Sequence, residues 1–149
     1  MSPLKVYVAG AYAEAPRVER AFDWVRSRDE LALAHDWLSV IRAVNKPDGD
    51  LSRADARKYA NADLEQLRAA DLVWFLLPQA HVGRGCWVEF GYALGLSPSP
   101  AIVTSGPQLP TVFAALADQH CALDIVAERY ILTIASRVRA AAAEGVVGA

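Results

Sequence analysis

One segment of this chain admits few architectures. LVWFLLP, Leu72 to Pro78, is an unbroken apolar run with no polar residue to mark a solvated face. A strand of a half-exposed sheet alternates apolar and polar side chains, whereas a strand covered on both faces is apolar throughout, as in a parallel sheet. Parallel strands cannot be joined by tight hairpins and need crossover segments, usually helices. The rest of the chain supplies them. A first strand is predicted at about Lys5 to Ala9, then a loop from Gly10 to Pro16 and a helix whose Val18, Ala21, Phe22 and Val25 keep helical spacing. Leu31 to His35 reads as a second strand, and Asp36 to Leu51 as an irregular segment holding the turn Lys46-Pro47-Asp48-Gly49. Ser52 with Asp55 resembles a capping box opening a helix that runs to about Ala70. Asp71 to Leu77 is the third strand and Ala101 to Thr104 the fourth, bounded by Pro100 and Gly106. A helical stretch near Pro110 to Ala117, a fifth strand around Cys121 to Ile125 and a terminal helix over Val126 to Ala143 complete the chain. The pattern is α/β, with no repeat and no linker that would divide it, so residues 1–149 are expected to form a single domain.

That length buries a core without disulfides or metal. A net charge of −2, with Lys and Arg spread along the chain, leaves no electrostatic footprint for a nucleic-acid polymer, although a nucleotide stays open as a ligand. Cys86 and Cys121 lie in apolar contexts and in no CxxC or Cys/His cluster, so they read as reduced core residues of a cytoplasmic protein. No apolar stretch approaches the roughly 20 residues that span a bilayer, and MSPLKVYVAG runs straight into a strand, so no membrane partner or secretion is expected.

Chemistry points first to GRGCWVEFGYA, Gly83 to Ala93. From Cys86 to Leu96 Glu89 is the one charged residue, in a helix expected to be buried over most of its surface. An ionised carboxylate in apolar surroundings is costly unless paired or hydrogen-bonded. Placement by the helix macrodipole, worth about 0.3 to 1 kcal/mol, is the bland reading and a functional acid the sharp one; spacing alone leaves both open. In parallel sheets the ligand crevice lies beyond the carboxyl ends of the strands. Those ends bring Tyr7, Gly10 and Tyr12 from the first strand, His35, Asp36 and Trp37 from the second, His81 to Glu89 from the third and Thr104 to Gly106 from the fourth. Aromatic walls with a few polar groups suit a planar ligand such as a nucleobase, although Tyr12 or Trp37 taken alone fits ordinary packing. The amides of Gly83, Arg84 and Gly85 and the Arg84 side chain suit an anion at a helix start. A dinucleotide fingerprint would need a glycine where Val88 stands, and the Lys-Ser/Thr pair of a P-loop is missing. His35, His81 and His120 form no ligand set, and no nucleophile elbow is present. On spacing alone Asp63 reads as a solvated helix acid, and Asp71, a strand length from the crevice, as structural.

Together VYVAGAY at Val6 to Tyr12, NADLEQLRAADLVWFLLP at Asn61 to Pro78 and GRGCWVEFGYALG at Gly83 to Gly95 resemble the nucleoside 2-deoxyribosyltransferase family, over most of the first hundred residues. The family's relatives include hydrolases that cleave the N-glycosidic bond of nucleoside 5′-monophosphates. The resemblance implies a flavodoxin-like, Rossmann-like five-stranded parallel sheet with helices on both faces, no metal or organic cofactor, and a homo-oligomer. It implies Glu89 as the nucleophile, Tyr7 beside it, and Asp63 facing the base. A carboxylate across from a departing nucleobase can stabilise oxocarbenium character or form a glycosyl ester.

This chain departs from the family pattern in two places. An aspartate six residues before the nucleophile contacts the sugar hydroxyls in the transferases; here that place is Gly83, or His81 on the alternative alignment. His81 with Arg84 would attract a 5′-phosphate, so a nucleotide is expected to be preferred over a free nucleoside. The transferases also complete their site with a neighbour's C-terminal Asn, for which EGVVGA offers no candidate, so bond cleavage is favoured over base exchange. The alternatives are hydrolysis of the nicotinamide bond of NAD and a non-catalytic nucleotide-binding or sensing domain.

Overall fold

The computed structural model describes residues 2–35, 52–78, 84–107 and 112–147. Five strands, β1 (Leu4–Ala9), β2 (Leu31–Leu33), β3 (Leu72–Leu76), β4 (Ala101–Ser105) and β5 (Gln119–Cys121), form one all-parallel sheet in the order β2-β1-β3-β4-β5. Among the described residues they are connected and flanked by four helices, α1 (Ala15–Arg26), α2 (Arg53–Ala69), α3 (Arg84–Leu94) and α4 (Asp124–Val147), with short 3-10 turns at Tyr12–Glu14 and Val112–Leu116. This is the flavodoxin-like α/β architecture expected from the sequence.

Alternation along the strands divides the core in two. Val6 and Val8 of β1 and Leu72, Trp74 and Leu76 of β3 pack with Val18, Phe22 and Val25 of α1 and with Ile131 and Ala135 of α4. Tyr7, Ala9, Val73, Phe75 and Leu77 point the other way, onto Leu67 of α2 and Cys86, Phe90 and Ala93 of α3. Every residue of β3 is buried, which is why its sequence shows no alternation. Side chains such as Trp74 and Phe75 each contribute about 1.5 to 3 kcal/mol by leaving water. The Ser52 hydroxyl accepts the Asp55 N–H at 3.1 Å and caps α2, and Pro16 sits in the first turn of α1, where its missing N–H costs nothing.

Four elements differ from the sequence reading by more than a residue at one end. β2 ends at Leu33, so His35 lies just beyond the strand. β5 is Gln119–Cys121 rather than Cys121 to Ile125, because Asp124 is drawn into the start of α4 by hydrogen bonds from Arg17 and Ser105. The alanine-rich stretch sustains α4 to Val147, past Ala143. Within the stretch read as helix at Pro110 to Ala117, the described residues Val112–Leu116 form a 3-10 turn. The expectation for α3 is also corrected. Cys86, Phe90 and Ala93 face the sheet, but Gly85, Val88 and Gly91 face outward and Val88 is 69% exposed, since a helix laid on a sheet buries one stripe. The Asp36 to Leu51 segment with its turn lies outside the described residues. Cys86 and Cys121 are free and buried, and no described helix is long and apolar enough to cross a membrane.

Candidate functional site

In this strand order the connection from β1 winds to one side of the sheet and the later ones to the other, so the carboxyl ends of β1 and β3 are the topological switch point, where open parallel sheets hold their ligands. Tyr7 stands near the carboxyl end of β1, opposite Val73 of β3, on the face covered by α2 and α3. α3 follows β3 and lies back across that face. With Phe90 turned to the sheet, Glu89, one residue earlier and about 100° around the helix, is turned to the side. There it meets Tyr7, whose fully buried phenol donates to Glu89 Oε1 at 2.9 Å across 82 residues of sequence.

Burial pushes the Glu89 carboxyl up to about 7; the Tyr7 hydrogen bond pulls it down and the Asp63 charge pushes it further up. Glu89 is the sixth residue of α3, outside its first turn, so the helix macrodipole does not account for its placement. Asp63, half-buried on α2, is pushed up to about 6 by burial, and its Oδ1 has no hydrogen-bond partner among the described residues. The Tyr7 hydroxyl is raised well above the usual phenol range by burial and by the Glu89 and Asp63 charges, so it stays protonated and donates. The Cys86 thiol, one turn before Glu89, is pushed up to about 12 by burial and by the Glu89 charge, and stays an inert neutral filler. Three groups that can hold or release a proton near neutrality, or orient one that does, therefore share one spot at the switch point. Such an arrangement suits acid, base or nucleophilic work by a carboxylate.

Of the other residues singled out in the sequence, His35 is 5% exposed and stacks on Tyr7, rings 3.9 Å apart and 9° from parallel, with Phe22 tilted against it at 5.3 Å. It backs the phenol. Tyr12 is 38% exposed in the turn after β1. Gly10 passes so close to α1 that a Cβ would overlap the Val18 side chain, which accounts for glycine there by packing. Gly85 is exposed in the first turn of α3, which Arg84 opens. Asp36, Trp37, His81 and Gly83 lie outside the described residues. Among the described residues no His, Cys, Asp and Glu side chains gather as a metal-ligand set.

Sequence reasoning missed a second polar cluster at the same end of the sheet. Arg17 of α1 donates from Nε to Asp124 Oδ2 (2.8 Å), from one terminal nitrogen to Asp124 Oδ1 (2.7 Å) and the Ser105 carbonyl (3.0 Å), and from the other to the Leu77 carbonyl (2.8 Å). Ser105 Oγ donates to Asp124 Oδ1 at 2.6 Å and accepts the Trp74 indole N–H at 2.9 Å. Burial raises the Asp124 carboxyl, but the Arg17 and Ser105 hydrogen bonds outweigh it and hold the group below its ordinary range. The cluster ties α1 and α4 to the carboxyl ends of β3 and β4. Glu14 adjoins it, with Oε1 3.7 Å from the guanidinium and a buried Oε2 that has no hydrogen-bond partner among the described residues. Its one signal in sequence is that it is the sole charged residue between Gly10 and Pro16.

No family model matches this sequence, and no curated protein does. Among solved structures, the chain is similar to a 2-deoxyribosyltransferase from the psychrotolerant bacterium Bacillus psychrosaccharolyticus, at 15% identity over 78% of this chain and 85% of that one, with a TM-score of 0.58. It is also similar to a conserved protein from Enterococcus faecalis V583, at 17% identity over 91% of this chain and 99% of that one, with a TM-score of 0.60. At these identities the likeness is one of fold, and the chain carries the nucleoside 2-deoxyribosyltransferase-like fold.

Proposed function

We propose that this protein cleaves the N-glycosidic bond of a nucleoside or a nucleoside 5′-monophosphate, with Glu89 as nucleophile. The observation that carries the reading is the Tyr7–Glu89 hydrogen bond, which holds a half-buried carboxylate at the β1/β3 switch point, where sheets of this order take small ligands. The ionised Glu89 attacks the anomeric carbon, the carbon–nitrogen bond breaks, and its electron pair leaves with the base. Asp63 supplies the proton to the departing nitrogen in the form of the site in which it is protonated and Glu89 ionised, a minority of molecules near neutrality because Glu89, at about 7, holds its proton more firmly than Asp63, at about 6. Water then attacks the anomeric carbon of the glycosyl ester, its proton passing to the Asp63 carboxylate, and Glu89 is released; a second base in place of water gives transfer. Tyr7 orients the nucleophile, and His35 steadies Tyr7 by stacking. Tyr12, Gly10 and the start of α3 at Arg84 and Gly85 line the ligand crevice, as Asp36, Trp37, His81 and Gly83 do in the sequence reading. Two buried free thiols fit a reducing, cytoplasmic setting, and a homo-oligomer is part of the same reading.

The test is a chromatographic screen for free base from nucleosides, 5′-monophosphates and NAD, with wild type and Glu89→Gln in parallel. Release is expected from nucleosides or their monophosphates, and the variant should lose it by orders of magnitude, because a nucleophile acts in the transition state. Release from NAD alone would move the reading to the nicotinamide bond. Binding without release, surviving in Glu89→Gln, would make the protein a sensor.

A further inference from the structure

The two buried carboxylate oxygens without a hydrogen-bond partner among the described residues are Asp63 Oδ1, which belongs to the site above, and Glu14 Oε2. Glu14 stands in the 3-10 turn that follows β1, its side chain 18% exposed. Its neighbour Arg17 does not account for it. The guanidinium directs four hydrogen bonds to Asp124, Leu77 and Ser105, and at 3.7 Å it lies beyond hydrogen-bond reach of Glu14 Oε1. Asp124 already holds Arg17 with both oxygens and also feels the Arg20 charge, so Glu14 is the acid of this group with an unused oxygen.

The place of that oxygen is set by its anchors. Arg17 is bonded to the carbonyls at the carboxyl ends of β3 and β4, and the Tyr12–Glu14 turn leaves the carboxyl end of β1, so Glu14 lies at the carboxyl end of the sheet, beside the β1/β3 switch point. The Asp63 charge acts on Glu89 and Tyr7, whereas the Glu14 charge acts on Cys86, a helical turn nearer the start of the helix. A ligand with its base at Asp63 and its anomeric carbon at Glu89 would extend its sugar toward Glu14. A carboxylate oxygen that lacks a donor accepts an O–H strongly and repels a phosphate.

We propose that Glu14 is a substrate-binding, specificity-determining residue: its Oε2 accepts a hydrogen bond from a sugar hydroxyl, and its charge selects the free nucleoside against the 5′-monophosphate. The proposal rests on the function proposed above and reverses the nucleotide preference expected from His81 and Arg84. It also supplies, from the turn after β1, the carboxylate that the position of Gly83 or His81 lacks.

The test is calorimetric binding of the four common 2′-deoxynucleosides, their 5′-deoxy and 3′-deoxy analogues and their 5′-monophosphates to wild type, Glu14→Gln and Glu14→Ala, with base release read from the same mixtures. Wild type is expected to bind at least one deoxynucleoside roughly ten- to a hundredfold more tightly than its monophosphate and than one of its two deoxy analogues, the weaker analogue naming the hydroxyl. Glu14→Gln should erase the discrimination against phosphate, and Glu14→Ala should erase the hydroxyl preference as well. The isosteric Gln variant alone decides the matter if the Ala variant does not fold. The proposal is overturned if no deoxynucleoside binds, if the monophosphate binds as tightly, or if Glu14→Gln keeps the wild-type preference. Release of base with unchanged preference refutes the role of Glu14 alone, and the expected preference without release refutes the proposed chemistry alone.

Discussion

Replacing the carboxylate at the centre of the site should make the fold more stable, by an amount that depends on pH. In the folded chain the Glu89 carboxyl is pushed up from its ordinary value of 4.5 to about 7, chiefly by burial, so the fold favours the neutral form. The sign follows from linkage. Below about pH 4.5 the group is protonated folded or unfolded and contributes nothing; as pH rises toward 7 the unfolded chain gives up the proton and the folded one resists, so stability falls across that window and stays lowered above it. At about 1.4 kcal/mol per pH unit the full cost is ~3 kcal/mol. Glu89→Gln keeps the shape, keeps an oxygen that can accept from Tyr7, and carries no charge. Urea unfolding at pH 8.5 should therefore show the variant ~3 kcal/mol more stable than wild type, the gap shrinking to about 1 kcal/mol or less at pH 5, with the denaturant slope unchanged. A variant no more stable than wild type at pH 8.5, or a gap that does not change with pH, would refute the claim that Glu89 is held in a desolvated place at a cost in stability. The measurement needs no substrate and no activity.

Two further outcomes follow from neighbouring contacts. Tyr7→Phe removes the donor that favours the Glu89 anion, so a carbon-detected NMR titration should move the Glu89 carboxyl upward by roughly one to two pH units; an unmoved titration would mean that the 2.9 Å contact does no electrostatic work. Gly91 lies inside α3 on its exposed stripe, and a Cβ there meets nothing within 4 Å, so Gly91→Ala should gain about 0.5 to 1 kcal/mol in thermal unfolding. A loss instead would show that another surface, such as a second copy, lies against the stripe.

The sequence revealed the fold where burial alone decides structure. β3 is apolar because both its faces are covered, and the helical spacing of Val18, Phe22 and Val25 matches the side of α1 that packs on the sheet. It misled where one polar contact outweighs pattern. Cys121 to Ile125 looks like a strand, yet Asp124 caps the cluster of Arg17 and Ser105 and so begins a helix. In the site, Glu89 was legible as a lone charge in an apolar helix, and Tyr7 through a resemblance. The state of Glu89 was not legible, because burial is a property of the packed fold and cannot be read from the neighbours of a residue in the chain. Arg17 and Glu14 went unread for the related reason that an Arg and a Glu flanking the start of a helix look like ordinary surface charges.

The acids of this protein divide by how their oxygens are used. Asp71 accepts the Lys5 amide at 2.8 Å, Asp118 accepts the Ile102 amide at 2.7 Å, and Asp124 holds Arg17 with both oxygens. Each of these satisfies a group that folding itself brings to it, and each is explained by the fold. Glu89, Asp63 and Glu14 are not: one carries a burial cost, and the other two keep a buried oxygen without a partner among the described residues. A carboxylate that stabilises a fold gains nothing from an empty oxygen, since an unmet buried acceptor costs about 1 to 3 kcal/mol. Glu89 meets Tyr7 near the carboxyl end of β1, the Asp63 charge acts on both, and Glu14 stands in the turn that leaves the same strand, at the switch point of a parallel sheet of this order. Asp71 and Asp118 are exposed, so water serves their remaining oxygens, and Asp124 is paired with Arg17; the buried oxygens of Asp63 and Glu14 have neither, and under the proposed function a ligand with donors of its own would satisfy them.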